Sequence, residues 1–196
     1  MIAGIVLAAG GSTRMGRPKM LLPFRGGTIL SASVSALLDS WLERVVVVLG
    51  CDAERIRSEA GLAHDPRLSL VVNERWREGM ASSLRRGIEE CSDADAVLVA
   101  LGDQPGLTTG RVRQVLSAFT PDRVLVVPIH EGIPAHPVLF ARRLFPELAA
   151  LSGDVGAREV VRSHWNEALF IDVEPLADID TEEDYRRLPG SKAPST

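Results

Sequence analysis

Ile2-Ala3-Gly4-Ile5-Val6-Leu7-Ala8-Ala9-Gly10-Gly11-Ser12-Thr13-Arg14-Met15-Gly16-Arg17-Pro18-Lys19 runs from an apolar stretch straight into a glycine-rich, cationic loop. Ile2–Ala8 is too short for a core helix and too continuous for a half-exposed strand, so it predicts a strand covered on both faces. The pattern recurs at Val45–Leu49, Leu68–Val72, Ala96–Leu101 and Arg123–Val127. Between these runs, Thr28–Asp39 carries Ile29, Leu30, Val34, Leu37 and Leu38 at helical spacing, and Thr109–Phe119 carries Val112, Val115, Leu116 and Phe119, which predicts covering helices. Asp52, ahead of a helix over Ala53–Ala60, and Thr108 or Thr109, ahead of the later one, offer oxygens to first-turn amides. Beyond Val127 the rhythm loosens through Pro128, Gly132, Pro134 and Pro137. It resumes as a strand at His136–Phe140, helices at Ala141–Leu148 and Asp154–His164, and a strand at Ala168–Val173. Thr181 then caps a last helix ending near Leu188, with Glu182, Glu183 and Asp184 in its positive first turn. The expectation is an α/β fold: a single doubly wound, Rossmann-like, mostly parallel sheet of about seven strands. One domain is expected over 1–188, with 189–196, rich in Pro, Gly and Ser, as a flexible tail.

Composition narrows the function. The 196 residues are 45% hydrophobic, and 22 Lys and Arg against 26 Asp and Glu leave a net charge of −4. With no basic stripe, nucleic acid is not an expected partner. No apolar run approaches the ~18 residues of a membrane span. Cys51 and Cys91 form neither a C-x-x-C pair nor a metal cluster, and Met1–Gly10 lacks a signal peptide's charged start, so a cytoplasmic setting is expected.

In an open α/β sheet, ligands sit beyond the carboxyl ends of strands, which is where the first loop lies. Leu7, Ala8, Ala9, Gly10, Gly11 and Ser12 let backbone amides approach an anion, and Arg14 and Lys19 add two cations. Gly11 and Gly16 have the outer spacing of a Walker A loop, but Arg17 and Pro18 stand where Lys and Ser or Thr are required. The dinucleotide fingerprint fails as well, because Gly10 and Gly11 are adjacent and Pro18 blocks an immediate helix. The plain alternative is a glycine turn with solvated cations.

Asp103 ends the apolar strand Ala96–Leu101 in a Gly-Asp-Gln-Pro turn and so points into the same crevice; turn capping is its simpler role. Asp180 also follows a strand and precedes a helix, which supplies a second oxygen ligand from far along the chain. Mg2+ is commonly held by one or two carboxylates together with substrate phosphates and water. Asp103 and Asp180 facing a cationic loop therefore describe a metal–triphosphate site, with Asp178 as the alternative ligand or as a solvated acid. The four histidines lack zinc-ligand spacing, and there is no nucleophile elbow.

The string Leu7–Lys19 resembles the L-A-A-G-x-S-x-R-M-G-x-x-K signature of the MobA-like nucleotidyltransferases, most closely their molybdenum cofactor cytidylyltransferase branch. The resemblance extends through Asn73-x-x-Trp76-x-x-Gly79-Met80-x-Ser82-Ser83-Leu84, Leu101-Gly102-Asp103-Gln104-Pro105, His136–Phe140, Gly153-Asp154-x-Gly156-Ala157-Arg158 and Asp178–Asp184. It implies a sheet of the nucleotide-diphospho-sugar transferase type, with Arg14, Lys19 and Asp103 catalytic and metal at Asp103 and Asp180. It also implies nucleotide contacts from the loop, Ser82 and Ser83, although either serine could instead serve as an N-cap. Trp76, His136, Asp154 and Arg158 would face the acceptor; packing accounts equally well for Trp76 and His136, and a solvated position for Arg158. The implied reaction transfers CMP from CTP to a phosphorylated pterin, molybdopterin, with Mg2+ or Mn2+ and release of pyrophosphate. Transient contact with molybdoenzymes or their chaperones would follow. Guanylyltransferase relatives carry glycine in place of Ala9, whose methyl narrows the base pocket. GTP as donor, another small phosphorylated acceptor, or a non-catalytic handover module remain the alternatives. Ala135, where the branch has glycine, departs from the pattern on the acceptor side.

Overall fold

The computed structural model describes residues 1–191. Among the described residues, ten strands and seven α-helices follow one another: β1 Ile2–Ala8, β2 Pro23–Phe24, β3 Gly27–Thr28, α1 Ile29–Leu38, β4 Arg44–Leu49, α2 Ala53–Glu59, β5 Leu68–Val72, α3 Met80–Glu90, β6 Ala96–Leu101, α4 Thr109–Ser117, β7 Leu125–His130, β8 Ile133–Pro134, β9 Val138–Ala141, α5 Phe145–Ala150, α6 Arg158–Ser163, β10 Ala168–Asp172 and α7 Glu182–Arg187. The main sheet has the order β10-β7-β9-β6-β1-β4-β5, and β8 pairs with β7. The β1–β4, β1–β6, β4–β5 and β7–β10 pairings are parallel, whereas β9 is antiparallel to both β6 and β7. The order reverses between β1 and β6, which makes the crevice outside their carboxyl ends the topological switch point of a doubly wound sheet.

The apolar strands are buried on both faces because successive side chains point to opposite sides. Ile5, Leu7, Val46, Val48, Val97 and Val99 enter one core with Leu84, Ile88 and Leu148. Val6, Ala8, Val45, Val47, Leu98 and Ala100 enter the other with Leu30, Leu37, Val112 and Val115. Each fully buried aliphatic side chain contributes about 1.5–3 kcal/mol. A third cluster, Leu22, Phe24, Ile29, Ile179 and Tyr185, ties the β2–β3 hairpin, which the sequence pattern does not reveal, to α7.

Several boundaries differ from expectation. Asp52 does not cap α2: its φ is +55° and its side chain makes no cap bond, whereas Thr108 accepts from the Arg111 N–H and caps α4. The strand expected at Arg123–Val127 is displaced to Leu125–His130, because a turn closed by the Arg123 N–H on the Thr120 carbonyl delays its start. Pro128 lies inside it, in register with Ile171 of β10, at the break between the β9 and β8 pairings, and its carbonyl accepts the Ala135 N–H at 2.8 Å. Positive φ angles at Gly153 and Gly156 postpone α6 to Arg158. In place of a helix from Ala141, a 3-10 turn at Arg142–Leu144 leads into α5. Arg85 donates to the carbonyls of Ala149 and Leu151 at 2.8 and 2.7 Å and closes the end of α5. Of the expected tail, the Gly190 carbonyl accepts from the Arg25 N–H and Ser191 bridges to Phe24; 192–196 lie outside the described residues. Among the described residues, no helix is long and apolar enough to cross a membrane.

Candidate active site

At the switch point the first loop folds back on itself. Ser12, at φ +49°, accepts the Lys19 backbone N–H on its hydroxyl at 3.0 Å, and the Met15 and Gly16 amides close turns on the Ser12 carbonyl. The fold-back directs the Lys19 side chain inward, where the residue is only 9% exposed. Its Nζ donates to Asp103 Oδ2 at 2.6 Å and to Asp180 Oδ1 at 3.0 Å. Arg14 stays exposed and donates from Nη1 to Asp180 Oδ2 at 3.0 Å. Two cations from the start of the chain and two acids from its middle and end thus form one cluster.

Burial pushes the Asp103 carboxyl above its ordinary value, opposed by the nearby Lys19 charge. Burial alone would lower the Lys19 pKa, but Asp103 and Asp180 outweigh it and hold the ammonium above its ordinary value. Asp180 is positioned by neighbours that the sequence pattern does not reveal. The Ile179 N–H donates to the Asp103 carbonyl at 3.2 Å, and the Ile179 side chain is fully buried in the third cluster. Asp178, the alternative ligand, accepts from Gln104 Nε2 on its Oδ1 at 2.6 Å. One loop is thereby pinned to the end of the β6 strand at the two positions that precede Asp180.

A cleft of about 500 Å3 runs along this edge, walled by Leu7, Ala9, Gly10, Gly11, Thr13, Lys19, Trp76, Arg77, Gly79, Ser83, Asp103, Asp154 and Asp180 among others. Ala8 is 1% exposed and packs into the core. Ser82 is also off the wall: both it and Ser83 accept from Asn73 Nδ2, at 2.8 and 3.0 Å, and only Ser83 faces the cleft. Neither serine caps α3; Asp154 Oδ1 takes the Met80 N–H at 3.2 Å. A second cavity of about 190 Å3 holds His136, Asp154 and Arg158 and shares Leu7, Met80, Leu101 and Asp154 with the cleft. Trp76 is on the wall of the larger cleft, which Asp154 also lines, against Gly11. His136 Nδ1 lies 3.4 Å from the Val99 carbonyl, and burial holds its pKa below the ordinary value, so the imidazole is neutral near pH 7. A separate depression of about 560 Å3, between the start of α4 and the ends of β7 and β10, contains none of the loop or the acid pair.

The cleft wall carries Asp103, Asp154 and Asp180 against Lys19 and Arg77, a charge balance that does not by itself favour a polyanion. Among the described residues, no three acids, histidines or cysteines are grouped to hold a metal on their own. Two carboxylates gathered around one cation nevertheless match the donor set of Mg2+ or Mn2+, which completes its shell with phosphate and water oxygens. Asp103 and Asp180 therefore fit a divalent ion that arrives with a phosphorylated ligand. Sequence reasoning missed Arg77 and the bracing by Ile179 and Gln104. The alternation of charge and apolarity in Asp178-Ile179-Asp180 was the available signal for Ile179.

Comparison with known proteins agrees with this architecture. Residues 4–168 match the model of the MobA-like NTP transferase domain. The chain is 36% identical to a protein named nicotine blue oxidoreductase from Paenarthrobacter nicotinovorans, over 95% of this chain and 96% of that one. It is 28% identical to the molybdenum cofactor cytidylyltransferase of Escherichia coli strain K12, over 92% of each. The crystal structure of a manganese complex of Rv0371C from Mycobacterium tuberculosis H37Rv superposes with a TM-score of 0.77 at 32% identity, covering 95% of this chain and 96% of that one.

Proposed function

The chain belongs to the MobA-like NTP transferase domain family, and from that membership we propose that it transfers CMP from CTP to a phosphorylated pterin of the molybdopterin type. The observation that carries the reading is the Lys19 ammonium seated between Asp103 and Asp180, in a cleft that shares a wall with a second cavity. Two neighbouring cavities suit two substrates whose reacting atoms must meet.

In the proposed reaction an acceptor phosphate oxygen bonds to the α-phosphorus. The bond from that phosphorus to the bridging oxygen breaks, and pyrophosphate leaves with the electron pair. Lys19 and the amides of Gly10 and Gly11 face the phosphates, while Arg14 covers the rim. These fixed donors stabilise the charge that grows on the bridging oxygen. Asp103 and Asp180 would hold Mg2+ or Mn2+, which supplies charge neutralisation and alignment of the phosphates. His136, neutral, and Arg158 line the acceptor cavity, and Asp154 ties it to the start of α3. No protein nucleophile takes part.

The cytidylyl assignment rests on the Escherichia coli relative's name and on Ala9, whose methyl narrows the cleft toward a pyrimidine. Product would pass to molybdoenzymes or their chaperones in the cytoplasm. The relative named nicotine blue oxidoreductase makes the acceptor the less constrained half. Pyrophosphate release measured over CTP, GTP, ATP and UTP with a molybdopterin acceptor tests the reading, with CTP expected to lead. Preference for GTP overturns the cytidylyl assignment. Asp103→Asn is expected to retain the native circular dichroism spectrum and lose about 10²–10³ or more in kcat. Normal turnover by that variant removes Asp103 from the machinery.

A further inference from the structure

Arg77 is the cation on the cleft wall that the proposed reaction does not use. Lys19 and Arg14 are matched to Asp103 and Asp180, whereas Arg77 has no carboxylate partner among the described residues. Glu78, its neighbour in the 3-10 turn Trp76–Glu78, is taken by Arg75 Nε at 2.7 Å. The Arg77 guanidinium instead lies over the Trp76 ring, 4.4 Å from its centroid. A guanidinium held over a ring face by its charge can still offer its N–H donors to oxygen or nitrogen acceptors side by side.

The stacking platform is itself fixed. Trp76 stands beside Gly11, its ring 3.3 Å from where a Cβ would project, and its own Cβ lies 2.7 Å from the corresponding point on Gly50. The Trp76 N–H and the Asn73 N–H close onto the Asn73 and Leu49 carbonyls, which binds the turn to the end of β4. Arg77 thus sits at the β4 end of the cleft. There burial raises the Cys51 thiol pKa and the Arg77 charge partly offsets that effect. The phosphate-facing cluster sits beyond the end of β6, with β1 between, a separation of about 10 Å across the sheet. An extended nucleoside triphosphate is longer than this gap, and the opposite side of the cluster opens onto the second cavity.

We infer that Arg77 reads the nucleobase end of the donor nucleotide, hydrogen-bonding acceptor atoms on the base edge from its platform on Trp76. This rests on the nucleotidyl-transfer reading of the cleft. The test is titration calorimetry of CTP, GTP and tripolyphosphate, each with Mn2+, on the full-length protein and on Arg77→Ala and Arg77→Lys. Arg77 is exposed, and an unchanged melting temperature verifies that the variants fold. Arg77→Ala is expected to weaken the preferred nucleotide about tenfold, a difference of roughly 1.4 kcal/mol, to narrow its advantage over the other, and to leave tripolyphosphate within about twofold. Arg77→Lys, which keeps the charge and loses the planar fork, is expected to follow Arg77→Ala. An equal loss for tripolyphosphate makes Arg77 a phosphate ligand and overturns the inference. Unchanged nucleotide binding in Arg77→Ala overturns it while leaving nucleotidyl transfer standing. Wild-type protein that binds neither nucleotide overturns both.

Discussion

Gly79 stands on the wall of the larger cleft, next in sequence to Met80, which both cavities share, and its conformation admits nothing larger. Its φ of +103° and ψ of 176° lie in a region reserved for glycine. A Cβ there would stand 2.4 Å from the Gly153 carbonyl carbon and 2.7 Å from Asp154 Oδ1. Gly79→Ala is expected to cost at least about 1–3 kcal/mol, measured by urea unfolding, and to weaken acceptor use because it dislodges Asp154 from the Met80 N–H. A variant as stable as wild type would show that the Gly153–Asp154 loop yields freely. At this scale the sequence was legible where chemistry and position coincide: Lys19 in a glycine loop after a strand, Asp103 at the end of another. Arg77 was not legible, because nothing in a Trp-Arg-Glu string says that the neighbouring Arg75 will claim the glutamate.

Among the helices, α5 and α6 are joined by a histidine. His164, just past α6, places Nδ1 2.8 Å from Glu167 Oε1 and Nε2 2.9 Å from Glu147 Oε2 on α5. Glu167 first, and Glu147 with it, hold the imidazole pKa above its ordinary value. Because the folded-state value is the raised one, this stabilisation is fully present below the unfolded value of about 6.5 and is lost as pH rises through the folded value. The melting temperature of His164→Gln is expected to fall furthest below wild type at pH below the unfolded value and to approach it as pH rises through the raised folded value. A pH-independent gap would assign His164 a packing role instead. Element types were readable because strands buried on both faces leave unbroken apolar runs. Element starts were not, since they depend on distant partners: the amide at the start of α3 is met by Asp154, and Arg85 closes α5. The β2–β3 hairpin is too short to leave a period, and only its packing on Tyr185 and Ile179 gives it a reason to form.

Over the whole molecule, the parallel strands deliver loop and acids to one edge, and that placement could be anticipated from strand order and loop position alone. The reversed strand β9 could not, because four apolar residues look the same in either direction. Running backward beside β6, with Val138 opposite Val99, it brings its beginning rather than its end to the reactive edge, and with it His136. The second cavity is therefore supplied largely by 131–164, and the cleft largely by the first hundred residues and Asp180. Replacing 131–164 with the corresponding segment of the nicotine blue oxidoreductase relative is expected to change acceptor use while leaving the order of nucleotide affinities intact. Altered nucleotide order would show that the halves are not separable. A sheet with one strand laid against the grain carries a seam, and a lineage can retailor the cloth on one side of it without unpicking the other.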